Sequence, residues 1–171
     1  MDDPQLPLRH PANSGIIAYF TARPLRRIPA ERHVASGPPD SVERPYDQLG
    51  SHPDEVSQIW DTLDVELPER CRWIVHDTPV LAHPHTGVIF AFTGGTTYAL
   101  RLAPADIDAA LAAGVEQIHH FPAYPELNIT ASTLDLRTIG PDWVFGAWRR
   151  EEPRWIRRAF DAAAAGWPGR A

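Results

Sequence analysis

Val56, Ile59, Trp60 and Leu63 fall at i, i+3, i+4 and i+7 and draw one apolar stripe, which predicts a helix opening near Ser51 with that stripe on the core. Ser51, followed three residues later by Asp54, predicts a capping arrangement in which the serine oxygen accepts an orphan N–H and the acid faces the positive helix end. Pro68 ends the run. Trp155, Ile156, Ala159, Phe160 and Ala163 form a second stripe and predict a helix over 152–165, started by Pro153 and ended by Gly166 and Pro168. A third helix is predicted over 104–113, with Pro104 at its first position, Asp106 and Asp108 near its positive end and Gly114 at its terminus.

Elsewhere the pattern is that of strands. "RWIVH" (72–76) and "PVLAH" (79–83) are apolar and β-branched, and "GVIFAFT" (87–93) and "TTYALRL" (96–102) are joined by Gly94-Gly95. Two glycines suit a primed hairpin turn, because glycine reaches positive φ without steric cost. That turn sets Thr93 opposite Thr96, Ala91 opposite Tyr98 and Ile89 opposite Leu100. One face of the hairpin then carries Ile89, Ala91, Tyr98, Leu100 and Leu102, and the other Val88, Phe90, Phe92 and Ala99. Both are apolar, so the hairpin belongs in mid-sheet, covered on both sides. "GIIAYFT" (15–21), "EQIHHF" (116–121) and "DWVFGAW" (142–148) also read as strands, and Ser132 with Asp135 suggests a short helical turn through "TLDLRTI", closed by Gly140.

Short turns between the middle strands force antiparallel pairing. The expectation is a single α+β domain over 15–168, its largely antiparallel sheet built on the hairpin 87–102 and covered by about three helices. Residues 1–14 are expected to be a flexible tail. Residues 22–50 lack a sustained period and are broken by five prolines, a longer irregular excursion than compact domains usually carry.

Composition adds limits. With 171 residues, 43% hydrophobic and 22% charged, the chain can bury a sizeable core. All sixteen basic residues are arginine and alanine is abundant, a bias that points to a genome rich in G and C. The single cysteine, Cys71, cannot close an internal disulfide. No basic segment followed by an apolar run opens the sequence, and no stretch approaches the roughly 20 apolar residues of a membrane span, so a cytoplasmic protein is expected. Charge is uneven: residues 51–145 carry four Arg and thirteen acids, whereas 146–171 carry six Arg and three acids. The acidic middle argues against a nucleic-acid groove, which must neutralise phosphates. Arg149, Arg150, Arg154, Arg157 and Arg158 read as a solvated helix face.

Candidate chemistry centres on "HPHTG" (83–87). His83 and His85, with His119 or His120 and with His76 and Asp77 as further candidates, could supply the three ligands a catalytic zinc needs. Adjacent strand residues face opposite ways, however, so only one of His119 and His120 can serve a given site. Pro84 and Gly87 are also what a short hairpin loop requires, and no metal or nucleophile motif is present. Cys71 opens an apolar strand, where an inert buried thiol is expected. Phe90, Phe92, Tyr98 and Trp143 could wall a small-molecule pocket; the tryptophans Trp60, Trp73, Trp143, Trp148 and Trp155 could line a cleft, but their spacing on amphipathic elements favours core packing.

The leading expectation is a non-catalytic binding protein without cofactor, comparable by class alone to small bacterial immunity and adaptor proteins. Its acidic surface, with Asp54, Asp61, Asp64, Glu66, Asp106 and Asp108, would meet a basic protein partner. The alternatives are a small metal-dependent enzyme or metal-binding protein using the histidines, and a small-molecule-binding domain with the aromatic pocket. Oligomeric state stays open.

Overall fold

The computed structural model describes residues 3, 5–22, 36–47, 51–94, 96–146 and 152–167. In chain order its helices and strands are α1 (Leu6–Arg9), α2 (Ser14–Ala22), α3 (Pro53–Ser57), β1 (Arg72–Val75), β2 (Thr78–Ala82), β3 (Ile89–Gly94), β4 (Thr97–Arg101), α4 (Pro104–Ala112), β5 (Ile118–Phe121), β6 (Ser132–Asp135), β7 (Trp143–Phe145) and α5 (Glu152–Ala164). The fold is α+β. Five antiparallel strands form one sheet in the order β1-β2-β3-β4-β7, and β5 and β6 form a separate ribbon.

Both strong stripes pack as the periodicity predicts. Val56, Ile59, Trp60 and Leu63 are buried, as are Trp155, Ile156, Ala159, Phe160 and Ala163, and together they cover one sheet face with Ile74, Leu81, Phe90, Tyr98 and Leu100. α3 runs directly into a π-helical turn (Gln58–Leu63) and a 3₁₀ turn (Asp64–Glu66). The cap of α3 differs from the prediction. His52 is the N-cap, its Nδ1 accepting the Asp54 N–H at 3.2 Å, while Ser51 Oγ shares a 2.5 Å hydrogen bond with Thr93 Oγ1.

The opposite sheet face is covered by α2, where a strand was expected. Ile16 and Phe20, one helical turn apart, are buried against Trp73, Val75, Val80, Phe92, Ala99 and Trp143. A seven-residue apolar run has no period long enough to separate a buried strand from a buried helix, and packing decides. Within the segment expected as a tail, described residues pack onto the fold: Pro7 and Asn13 are buried, and Asn13 bonds to the loop before β3.

The central hairpin lies in mid-sheet with both faces covered, as predicted, but its register is shifted by two. Thr93 pairs with Tyr98 and Gly94 with Thr97, so Gly94 ends the strand rather than forming the turn; Gly95 lies outside the described residues. A bulge also re-sorts the faces. Ala82 pairs with Ile89 and Leu81 with Ala91, which leaves Phe90 without an opposite residue. Phe90 therefore joins Ala91, Tyr98 and Leu100 on one face, and Ile89 joins Phe92 and Ala99 on the other. The β1–β2 turn is made by His76 and Asp77, both at positive φ (45° and 61°), the signature of a type I′ turn without glycine.

Of the proline-rich excursion, residues 23–35 and 48–50 lie outside the described residues. Within 36–47, Gly37 exchanges backbone bonds of 2.9 and 2.8 Å with Ile74 and so covers the edge of β1. The helical turn expected from Ser132 starts later. Residues 132–135 are captured as β6 by pairing with β5, and the Asp135 carboxylate caps a 3₁₀ turn over Leu136–Thr138 by accepting the Arg137 N–H at 3.0 Å.

Candidate functional site

"HPHTG" joins β2 to β3, and its histidines have separate roles. His83 is buried, and its Nδ1 accepts the backbone N–H groups of His85 (3.2 Å) and Thr86 (3.3 Å), which leaves the proton of the neutral ring on Nε2. Its ring lies 4.7 Å from that of Phe160. Burial, reinforced by nearby His85 and opposed by Glu69, holds the His83 pKa below its ordinary value. His85 is exposed at the loop tip, with Nε2 3.0 Å from a Glu69 carboxylate oxygen. Thr86 Oγ1 donates to the Ala163 carbonyl at 2.8 Å, joining the Gly166 N–H there and tying the loop to the last turn of α5. Gly87 sits at φ 79°, as the loop reading requires.

His119 and His120 are on β5. The His119 ring packs 4.6 Å from Phe121 and 5.5 Å from Phe145, whereas His120 Nδ1 meets Thr133 Oγ1 at 2.9 Å. Among the described residues, no three His, Cys, Asp or Glu side chains are grouped to share a metal ion. His76 occupies the β1–β2 turn, with Asp77 buried beside it.

Cys71 is buried, and its thiol pKa is pushed far up by desolvation first and by the Asp64 and Glu69 charges next. A thiol held protonated in this way is a poor nucleophile.

The four aromatic residues do not share a pocket. Phe90 and Tyr98 belong to the core beneath α3 and α5; Phe92 and Trp143, in edge contact at 5.2 Å, belong to the core beneath α2. The sheet itself separates the two pairs.

The six acids also divide. Asp64 is buried, accepting the Cys71 N–H at 2.6 Å and the Arg72 Nε–H at 3.0 Å, so its charge is spent inside the fold. Asp61 is exposed but accepts from Tyr46 Oη (2.7 Å) and Ser57 Oγ (2.8 Å) and lies 3.3 Å from Arg72. Asp106 pairs with Arg158 at 2.5 Å, so this arginine of the helix face expected to be solvated is held in an ion pair; Arg149 and Arg150 lie outside the described residues. Asp54, Glu66 and Asp108 are exposed to solvent. A feature the stripe did not single out is Val65, 69% exposed, with Asp61, Glu66 and Glu69 exposed around it in sequence. The signal was available: Val65 is an aliphatic residue off the stripe, between two acids. Tyr124, Leu127 and Ile129 are likewise exposed, in the connection between β5 and β6.

Among the described residues, no helix is long and apolar enough to cross a membrane. No protein-family model, curated protein or solved structure matches the chain.

Proposed function

We propose that this chain is a non-catalytic binding protein that presents the acidic surface at the end of the 53–66 helix to a basic protein partner, in the manner of small immunity- or adaptor-type proteins. The observation that supports the reading is the exposure of Val65 among Asp61, Glu66 and Glu69. An exposed apolar residue flanked in sequence by exposed carboxylates can serve as an interface centre: burying it contributes about 1.5 kcal/mol, while the carboxylates steer a cationic partner and disfavour acidic competitors. Asp54 extends the acidic surface at the other end of the helix, where it also complements the helix dipole. The histidines and Cys71 serve the fold in this reading, through the loop bonds of His83 and the buried thiol.

The test is capture from the native host by the intact chain, compared with the double variant Asp54→Arg, Glu66→Arg. Both positions are exposed, so the variant should fold normally. A partner enriched in Arg and Lys that is lost with the variant supports the reading. A partner retained by the variant contradicts it.

A further inference from the structure

Among the described residues, the outer edge of β6 in the β5–β6 ribbon carries no strand partner. The hydrogen-bond alternation shows which groups face outward. The Leu136 N–H donates to the Gln117 carbonyl at 2.9 Å, and the pairing continues as His119 opposite Leu134 and Phe121 opposite Ser132. In an antiparallel ladder, hydrogen-bonded and non-bonded pairs alternate, so Leu134 and Ser132 address β5 while Ala131 and Thr133 turn their N–H and C=O groups away from it. The side-chain contact of Thr133 with His120 is the close approach expected of a non-bonded pair.

Around Ser132 this short edge carries neither of two devices that keep sheet edges from pairing, charge and proline; Asp135, at the end of β6, is the one charged residue of the strand. From Leu127 to Leu134 the sequence is "LNITASTL", with no charge and no proline. Residues 122–133 are all exposed, among them Tyr124, Leu127 and Ile129. The segment 118–134 carries Glu126 as its sole Asp or Glu and no arginine, although it lies within a region of thirteen acids against four Arg. It is where two copies of an acidic chain can approach with least repulsion.

We propose that the outer edge of β6 pairs with the same edge of a second copy of this chain, antiparallel about a two-fold axis at Ser132. Thr133 of each copy then exchanges N–H···O=C bonds with Ala131 of the other, four bonds in all, and the two Ser132 residues face each other in a non-bonded pair. The contact is isologous and closes at two copies. The small side chains of Ala131 and Ser132 let the backbones approach, and Thr130 of each copy lies opposite Leu134 of the other. This surface is separate from the acidic one around Val65, and either can hold without the other.

Sedimentation equilibrium of the intact chain at about 0.1 mM tests the pairing. The wild type is expected to be a dimer. Ser132→Lys and Ser132→Glu, each confirmed folded by circular dichroism, should each weaken it at least tenfold, because like charges then sit directly opposite. An equimolar mixture of the two variants should restore the dimer through a Lys–Glu pair. A wild-type monomer would overturn the proposal. So would a dimer that neither charge weakens, or one that both weaken and mixing does not restore.

Discussion

The side-chain oxygen of Asn13 accepts the Ile89 N–H at 2.9 Å, joining the start of the chain to the first residue of β3. The Asn13 nitrogen donates to the carbonyls of Pro7 (2.6 Å) and Gly87 (2.8 Å). One fully buried amide thus satisfies three backbone groups, on two segments more than seventy residues apart.

Asn13→Ala should therefore cost about 3 kcal/mol, more than an ordinary polar truncation, because it leaves a buried N–H and a buried carbonyl unpaired at the β3 entry. Chemical denaturation measures it; a loss below about 1 kcal/mol would mean that water replaces the amide there.

Gly87, just before β3, and Gly94, at its end, should behave oppositely. Gly87 has φ 79°, and a Cβ there would lie 2.8 Å from both the Leu6 carbonyl oxygen and Leu6 Cγ. Gly94 has no positive φ, and its Cβ would meet Phe92 and Leu134 at 3.8 and 4.0 Å, ordinary contact. Gly87→Ala should destabilise by about 2 kcal/mol or more, and Gly94→Ala by less than about 0.5 kcal/mol. Equal melting temperatures for the two variants would contradict the β3–β4 register as well as the loop geometry.

The same contrast shows what could be read from the chain alone. The helices around Trp60 and Phe160 were legible because their stripes run for two turns or more, long enough for the period to declare itself. The β3–β4 register was not, since Gly94 and Gly95 signal a turn without saying which residues occupy its centre. The bulge at Phe90 leaves no local mark and moves a residue to the other face. By residue type Asp64 reads as surface charge, yet it lies four residues after Trp60 on the buried stripe, a position that points to its burial against Cys71 and Arg72. The α2 helix and its Asn13 anchor depend on contacts with residues 87–89, so no short window of sequence could contain them.

His83 and His85 should separate by both stability and pH. His85→Gln removes an exposed contact with Glu69 and should change stability by less than about 0.5 kcal/mol. His83→Gln removes a buried acceptor of two N–H groups and should cost about 1–2 kcal/mol near neutral pH. Because burial lowers the His83 pKa, the folded chain binds that proton less readily than the unfolded chain, whose histidine titrates near about 6.5. This contribution is fully present above the unfolded value and is lost as the pH falls below it. The gap between wild type and His83→Gln should narrow between about pH 7.5 and about pH 5.5. A constant gap would show that His83 is protonated alike in both states.

Cys71 should resist alkylation in the folded protein, because burial and its acidic neighbours keep the thiol protonated. Modification by iodoacetamide should appear only on unfolding, in step with the loss of tertiary structure. Rapid labelling of the native chain would contradict the placement of β1 and its Asp64 contact.

The claim that the acidic surface around Val65 is a binding face is tested most directly by titration calorimetry of the captured partner into the intact chain at low and high salt. Binding that weakens at least tenfold as salt is raised, and that weakens further with Glu66→Arg, is the predicted result. An affinity that neither salt nor that charge reversal changes would contradict it.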